Sequence, residues 1–394
     1  MKILKKICFS LIFLIILFFI AEICFQIRKL FTEKKIASSG YATILVTESG
    51  LKLSASPHSL EYVISPSTIY KLFPNQKSQN FTINEFGFRG KKFEKSEKHF
   101  KRIILLGGSA AFGYFLNNDT ETISEILENK LEPMKIQVIN AGIPGFFSSQ
   151  ELHYLLDILD YEPDFIIQYS GWNDVHGQFY FDSKKDDLLG WSESFQTIEN
   201  SLLELFHLKS SFISALGNII DVVLNKSIII NKIEGHFARV LERKKISENK
   251  NQKDNAYLKK IAERYAENVI KMGLICSAKK IKFFSVFQPE IGHKKIMNDE
   301  EKQIFAKGMG KGKEYDKIFP PLYDDFIKRA SDILSANKIK YFNMNESKQF
   351  IESPLTLFFD PVHTNFEGNK IIAEVIAKFF LEKIESEERN EKKL

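Results

Sequence analysis

The feature that most constrains the fold of this chain is a series of short, continuous apolar runs separated by amphipathic helical patterns. The clearest run, Arg102–Leu106, is closed by two glycines and is typical of a strand buried on both faces of a parallel sheet. Further runs, the last of them weaker, lie at Ile136–Ile139, Phe165–Tyr169, Phe283–Phe287 and Ile339–Phe342. Because strands alternate with helices, we predict a mainly parallel sheet with helices on both faces.

The helical segments carry recognisable start signals. Thr122-x-x-Glu125 and Ser148-x-x-Glu151 both match the capping box, in which a hydroxyl and an acidic side chain satisfy the first backbone N–H groups of a helix. Each box precedes apolar residues spaced to form one helix face, and a similar stripe follows Asn369. The whole pattern predicts a three-layer α/β/α fold whose functional site lies beyond the carboxyl ends of the strands.

Shifts in composition divide the chain into regions. Residues 31–100 mix short apolar runs with polar residues and are interpreted as a stalk and N-terminal extension, residues 101–385 as the α/β domain, and 386–394 as a charged tail. Between about 178 and 255, helical patterns and a polar loop interrupt the alternation, which predicts a helical insertion. The insertion either covers the sheet edge as a lid or substrate wall, or is plain helical packing.

The N-terminal segment predicts a membrane anchor. Lys2, Lys5 and Lys6 precede an apolar stretch whose span of about 20 residues suffices to cross a bilayer, so we interpret residues 1–30 as an uncleaved signal anchor. Cleavage after Ala21 and lipid attachment at Cys24 are the alternatives. The short N-terminal tail favours a cytoplasmic N-terminus and an extracytoplasmic body, although the lysines and arginines on the two sides of the span are balanced.

Charge and cysteine content exclude several classes. The net charge of +5 comes from scattered lysines rather than from a basic stripe with aromatic residues, so nucleic-acid binding is not expected. Cys8 and Cys24 lie in the apolar segment, which leaves Cys276 alone in the body and excludes a disulfide framework or a cysteine zinc site there. We predict no metal or organic cofactor.

Two distant segments supply the three groups of a serine catalytic triad, a relay of hydrogen bonds from carboxylate to imidazole to hydroxyl. A hydroxyl nucleophile needs a base within hydrogen-bond reach and a carboxylate that orients the base. Ser109 follows the first predicted strand, and His363 lies three residues after Asp360, between the last predicted strand and the last predicted helix. We therefore predict Ser109, His363 and Asp360 as catalytic residues. Each taken alone has a plainer explanation, as a turn serine or an accidental Asp-x-x-His.

Two further residues are candidates for binding a negatively charged oxygen. Gly142 follows the second predicted strand and Asn173 the third, so both belong to the sheet edge that carries Ser109. An amide donor directed at the oxygen of a tetrahedral acyl intermediate is worth about 3 to 4 kcal/mol. The predicted oxyanion hole consists of the Ser109 amide, Gly142 and Asn173. A turn glycine and a helix cap are the alternatives.

Taken jointly and in order, these segments resemble the conserved blocks of the SGNH (GDSL-type) hydrolases, in particular membrane-anchored bacterial members. The resemblance spans about residues 101–384 apart from the insertion, and it departs from the family at Gly108, where Asp is common. It implies a flavodoxin-like sheet and an ester-hydrolysing acyl-enzyme mechanism. The segments are Gly107–Gly113, Asn140–Gly142, Gly171–Asp174 and Asp360–His363, the last followed by Phe366–Asn369.

The resemblance and the N-terminal segment together imply a serine esterase at the cell envelope. We expect short acyl or O-acetyl esters as substrates, with an envelope polysaccharide as the partner that carries them. One alternative is an acyltransferase that moves the acyl group onto an envelope glycan. Another is a non-catalytic glycan-binding or scaffold protein on the same fold.

Overall fold

The computed structural model describes residues 42–47, 50–55, 60–65, 67–93, 101–181, 250–308 and 315–391. The predicted anchor at residues 1–30 and most of the predicted insertion lie outside these ranges. Among the described residues, no helix combines the length and the apolar character needed to cross a membrane.

The strands of the described residues include the five expected apolar runs and six further strands before them. Their bounds are β1 Ala42–Thr47, β2 Gly50–Ala55, β3 Leu60–Ser65, β4 Ile69–Leu72, β5 Gln76–Lys77, β6 Thr82–Ile83, β7 Lys101–Gly107, β8 Ile136–Gly142, β9 Phe165–Ser170, β10 Lys282–Phe287 and β11 Tyr341–Asn343. β3 pairs with β4, and β5 with β6, in antiparallel register.

The last five strands form a parallel sheet in the order β11-β10-β9-β7-β8. The chain thus starts inside the sheet, moves to one edge and then returns past its starting strand to the other edge, which is the flavodoxin-like order. Gly107 at the end of β7 pairs with Gly142 of β8 and Tyr169 of β9. The predicted three-layer α/β fold is confirmed.

Helices follow or separate these strands. Their bounds are α1 Ser109–Phe112, α2 Ile123–Leu131, α3 Ser148–Ile158, α4 Trp172–Phe181, α5 Lys250–Ala278, α6 Asp299–Lys307, α7 Tyr315–Ala336, α8 Lys348–Ile351 and α9 Phe366–Glu391. Thr122 caps α2 as predicted, because its hydroxyl accepts the Glu125 N–H.

The predicted capping box at Ser148 is wrong. The cap position of α3 is Phe147, and Ser148 is the first helical residue. Ser148 Oγ donates instead to the Asp174 carboxylate, and the Glu151 carboxyl group accepts hydrogen bonds from Gln168 and Ser170 of β9. Tertiary partners have therefore taken both side chains that a local capping box would use.

The two faces of the sheet differ in chemistry. On one face, Phe165 and Phe284 pack against Phe380 of α9 in an apolar core. On the other face, Ser285 Oγ donates to Gln168 Oε1 at 2.7 Å, and both side chains are fully buried. Alternation along each strand explains this division, since successive side chains point to opposite faces.

Residues 60–93, part of the predicted stalk and extension, belong to the same compact unit as the parallel sheet. Arg89 shows why they associate with it. Its guanidinium is buried, pairs with Asp119 at 2.8 Å and donates to the Gly113 carbonyl at 2.6 Å. A buried guanidinium needs such partners to offset its lost hydration. A second unit, made of residues 1–46, 53–59 and 193–254, lies almost entirely outside the described ranges.

Candidate active site

Ser109 is placed by the abrupt passage from β7 into the short helix α1. Gly108 is the cap residue of α1, and a Cβ atom at this position would lie 2.6 Å from the Asn173 side-chain nitrogen and 3.2 Å from the Phe146 carbonyl oxygen. A side chain at this position would require the Asn173 amide and the Phe146 carbonyl to shift.

The three predicted relay residues meet. His363 Nε2 lies 2.8 Å from Ser109 Oγ, and His363 Nδ1 lies 2.7 Å from Asp360 Oδ2. An ionised carboxylate can only accept hydrogen bonds, so Nδ1 carries the proton and Nε2 of the neutral ring accepts the Ser109 hydroxyl. This is the tautomer that a general base requires.

The Asp360 carboxylate is also fixed by its own loop. Its Oδ1 accepts the backbone N–H groups of Val362 and His363 at 2.9 and 2.8 Å. Burial by itself raises the pKa of Asp360, but the electrostatic interaction with His363 and these hydrogen bonds outweigh it, so the pKa lies below its usual value. Asp360 therefore remains ionised across the neutral range and can hold the imidazole in one orientation.

Asn173 lies on the same sheet edge as Ser109, as predicted. Its Nδ2 donates to the Phe146 carbonyl at 2.8 Å, and the same nitrogen is the nearest atom to a Cβ built on Gly108. An amide nitrogen has two hydrogens, so one bond to Phe146 leaves the second available to a ligand. Asn173 thus has both the position and the free donor capacity expected of an oxyanion-hole residue.

Gly142 does not have the predicted geometry. Its N–H already donates to Asn140 Oδ1 at 3.0 Å, at the end of β8. The backbone amide of Gly145, in the following turn, is better placed to donate to an oxyanion. Within the described ranges its N–H has no hydrogen-bond acceptor, and it lies one residue from Phe146, whose carbonyl holds Asn173. We therefore replace Gly142 by Gly145 in the candidate oxyanion hole.

The backbone of Gly145 explains why glycine is needed there. Its φ is +84°, a conformation that favours glycine, and a Cβ atom would lie 2.6 Å from the Tyr70 hydroxyl. That hydroxyl donates to the neighbouring Pro144 carbonyl at 2.9 Å. The sequence signal for this turn is the turn-forming dipeptide Pro144-Gly145.

An aromatic group borders the His363 side of the site. The rings of Tyr114 and Phe115 lie 5.6 and 5.2 Å from the imidazole, and the Phe115 ring lies 6.2 Å from that of Phe359. Phe359 is 42% exposed. Phe115 has a φ of +71°, which is strained for an aromatic residue and costs on the order of 1 kcal/mol or more.

Two contacts hold the segments that lead to the relay. Lys294 and Glu301 form a fully buried ion pair, and Glu301 Oε1 accepts the Leu357 N–H at 2.8 Å, just before the Asp360 loop. Breaking such a pair costs about 3 to 5 kcal/mol because one buried charge is left unpaired. The Ile291 N–H also donates to the Pro361 carbonyl at 2.9 Å, inside the Asp360 loop.

His293 lies beside this second contact, with Nδ1 3.0 Å from Glu290 and Nε2 2.8 Å from Asp324. Burial lowers the pKa of His293, but its hydrogen bonds to the two carboxylates and their charges raise it more, to about 9. His293 is therefore a charged structural residue at neutral pH. Among the described residues, no three His, Cys, Asp or Glu side chains are grouped to hold a metal ion.

Comparisons with known proteins found alignments to solved structures at low sequence identity. No family model and no curated protein matches the chain. A lipase/acylhydrolase from Enterococcus faecalis aligns with 71% of this chain and 94% of its own, at 12% identity and a TM-score of 0.39. A psychrotrophic esterase from Pseudoalteromonas sp. aligns over 72% and 99%, at 13% identity and a TM-score of 0.39.

An acetylxylan esterase from Geobacillus stearothermophilus aligns with 71% of this chain and 93% of its own, at 12% identity and a TM-score of 0.38. Likeness at this level does not assign an activity to this chain.

Proposed function

We propose that this chain is a serine esterase of the SGNH type, which hydrolyses carboxylic esters through an acyl-enzyme. The observation that carries the proposal is the continuous relay from Asp360 through His363 to Ser109, with bonds of 2.7 and 2.8 Å. Ser109 and His363, which are 254 positions apart in the chain, meet here with Asp360 in the order and tautomer that nucleophilic catalysis requires.

In the first half-reaction, Ser109 Oγ forms a bond to the ester carbonyl carbon while His363 Nε2 takes the hydroxyl proton. The electron pair of the carbonyl π bond moves to oxygen, which becomes negatively charged. The C–O bond to the alcohol then breaks, and His363 returns the proton to the departing oxygen. Asp360 stabilises the intervening imidazolium without taking its proton.

The negative oxygen is stabilised by the Asn173 amide, the Gly145 N–H and the Ser109 N–H. In the second half-reaction, water replaces the alcohol: it gives a proton to His363 and attacks the acyl carbon. The tetrahedral oxyanion forms again and collapses with cleavage of the bond to Ser109 Oγ, to which His363 returns the proton. The products are a free acid and a regenerated serine, so each donor acts twice per turnover.

We further propose that the substrate is a short acyl or O-acetyl ester on an envelope polysaccharide. The support is the predicted N-terminal anchor and the resemblance to membrane-anchored bacterial hydrolases. The open aromatic surface at Phe115 and Phe359 also supports it, because it borders His363, from which the departing alcohol takes its proton. The proposed location is the extracytoplasmic face of the membrane.

The first experiment uses the full chain in detergent micelles and acetyl and butyryl nitrophenyl esters. Ser109→Ala removes the nucleophile and should lower kcat by roughly 10⁴-fold or more. Ser335→Ala, at an exposed serine of α7, is the control and should retain wild-type rates. Ester hydrolysis by Ser109→Ala at the wild-type rate would exclude the proposed mechanism. Adding a sugar acceptor and measuring acylated sugar against free acid separates hydrolysis from acyl transfer.

A further inference from the structure

The first turn of α4 and the connection between β8 and α3 are bonded to each other at two consecutive residues. Asn173 Nδ2 donates to the Phe146 carbonyl at 2.8 Å. The adjacent Asp174 carboxylate accepts the Ser148 N–H at 3.1 Å and the Ser148 hydroxyl at 2.5 Å. Gly145 directly precedes Phe146, so both side-chain contacts act on the turn that carries its N–H.

Helix α5 also contacts this connection. Asn268 of α5 donates from Nδ2 to Ser148 Oγ at 3.0 Å, so the Ser148 hydroxyl both gives and receives a hydrogen bond. Ser148, Asp174 and Asn268 are at most 4% exposed. Hydrogen bonds in such a dry environment are costly to break, because water does not replace the lost partner.

The charge on this network is located at Asp174. Burial raises its pKa to about 6 against the opposing hydrogen bonds from Ser148. Glu151, one turn further along α3, is also buried, and burial followed by the Asp174 charge raises its pKa to about 8. At pH 7 Asp174 is therefore ionised and Glu151 neutral. Asp174 also faces the N-terminus of α3, where the helix dipole favours a negative charge.

We propose that Asp174 is a positioning residue, whose carboxylate acts with Ser148 to hold the Gly145 N–H and Asn173 Nδ2 at one fixed separation. Two donors stabilise the same oxyanion only if both point at one position, and a displacement of about 1 Å far from the reacting atoms can cost 100-fold in rate. This inference rests on the proposed esterase function. It assigns a role in catalysis to a buried residue that contacts neither the ester nor the relay.

The test compares two variants of the network with a matched control in the full chain at pH 7. Asp174→Asn replaces one acceptor oxygen by a donor, which conflicts with a Ser148 donor, and Ser148→Ala removes the hydroxyl alone. Both should lower kcat by about 10- to 100-fold with KM within about 3-fold, because a donor to the oxyanion acts in the transition state. Glu151→Gln changes an equally buried acid that is already neutral, so its kcat should stay within about 2-fold.

Thermal unfolding and near-UV circular dichroism report whether each variant is folded. A folded Asp174→Asn protein with wild-type kcat overturns the positioning role, and so does a loss confined to KM. If Asp174→Asn does not fold, the kcat of folded Ser148→Ala decides in the same way. A wild-type protein that hydrolyses no ester overturns the esterase function itself, whereas an active wild type with unaffected variants overturns only the role of Asp174.

Discussion

The two sides of Ser109 are built differently. On the oxyanion side, Asn173 and Asp174 are fixed by direct hydrogen bonds to the β8–α3 connection, and the supporting side chains are buried. On the relay side, His363 is held by Asp360 of the same loop, and partly exposed aromatic rings border the imidazole. The difference indicates that the donors to the oxyanion are preorganised, whereas the surface near the departing alcohol is open to substrate.

Three predictions test this difference between the two sides. The largest expected effect, on kcat, comes from removing an oxyanion donor. Asn173→Ala should lower kcat by about 10²- to 10³-fold, since the lost hydrogen bond forms to the charge that develops in the transition state. KM should change little. Steady-state kinetics with a nitrophenyl acetate provides the measurement, and a mutant that loses affinity while keeping its kcat would show that Asn173 binds substrate instead.

A second prediction concerns the buried acids of the oxyanion side. The pKa of Glu151 rises from 4.5 to about 8 on folding, so the folded state binds a proton that the unfolded state has released. The free energy of unfolding should therefore fall as pH rises from about 5 to above 8, by a few kcal/mol at about 1.4 kcal/mol per pKa unit.

Glu151→Gln should remove the contribution of position 151 to this decline, because an amide does not titrate. Asp174 and His293, whose pKa values also rise on folding, should keep theirs. Chemical denaturation at several pH values between 5 and 9 measures it. Glu267→Gln, at an exposed glutamate of α5, is the control and should keep the wild-type pH dependence. Equal slopes for Glu151→Gln and wild type would mean that the carboxyl at position 151 is not protonated in the folded protein.

The smallest expected effect on kcat/KM comes from a substitution on the relay side, beside His363. Phe115→Ala removes a ring 5.2 Å from the His363 imidazole, and aromatic contacts of this kind are worth about 0.5 to 1.5 kcal/mol. We expect kcat/KM to fall about 2- to 10-fold for esters of ring-bearing alcohols and to change less for esters of linear alcohols.

A series of acetates that differ only in the alcohol measures this effect. Phe366→Ala, another partly exposed phenylalanine, is the control. An equal loss of kcat/KM for all the alcohols would mean that Phe115 orients His363 rather than contacting the substrate. The relay side of Ser109 would then be preorganised like the oxyanion side.

Much of the fold and the relay could be predicted from the sequence. Five apolar runs became the parallel sheet, and Thr122 capped the helix that it precedes. Ser109, Asp360 and His363 were found because each follows or precedes a strand or helix that the pattern already located. The cap at Ser148 and the amide of Gly142 could not be judged in this way, because distant or competing acceptors decide their hydrogen bonds.

The amino-acid sequence by itself determined the layers and the edge of the sheet where the polar residues gather, because the spacing of apolar side chains specifies which faces are buried. Only the tertiary structure decided which amide remains available. Asn140 uses the Gly142 N–H, while Gly145 lies in a left-handed turn held by Tyr70. Hydrogen-bond competition depends on distances between residues remote in sequence, such as Asn268 and Ser148, and local patterns do not contain those distances.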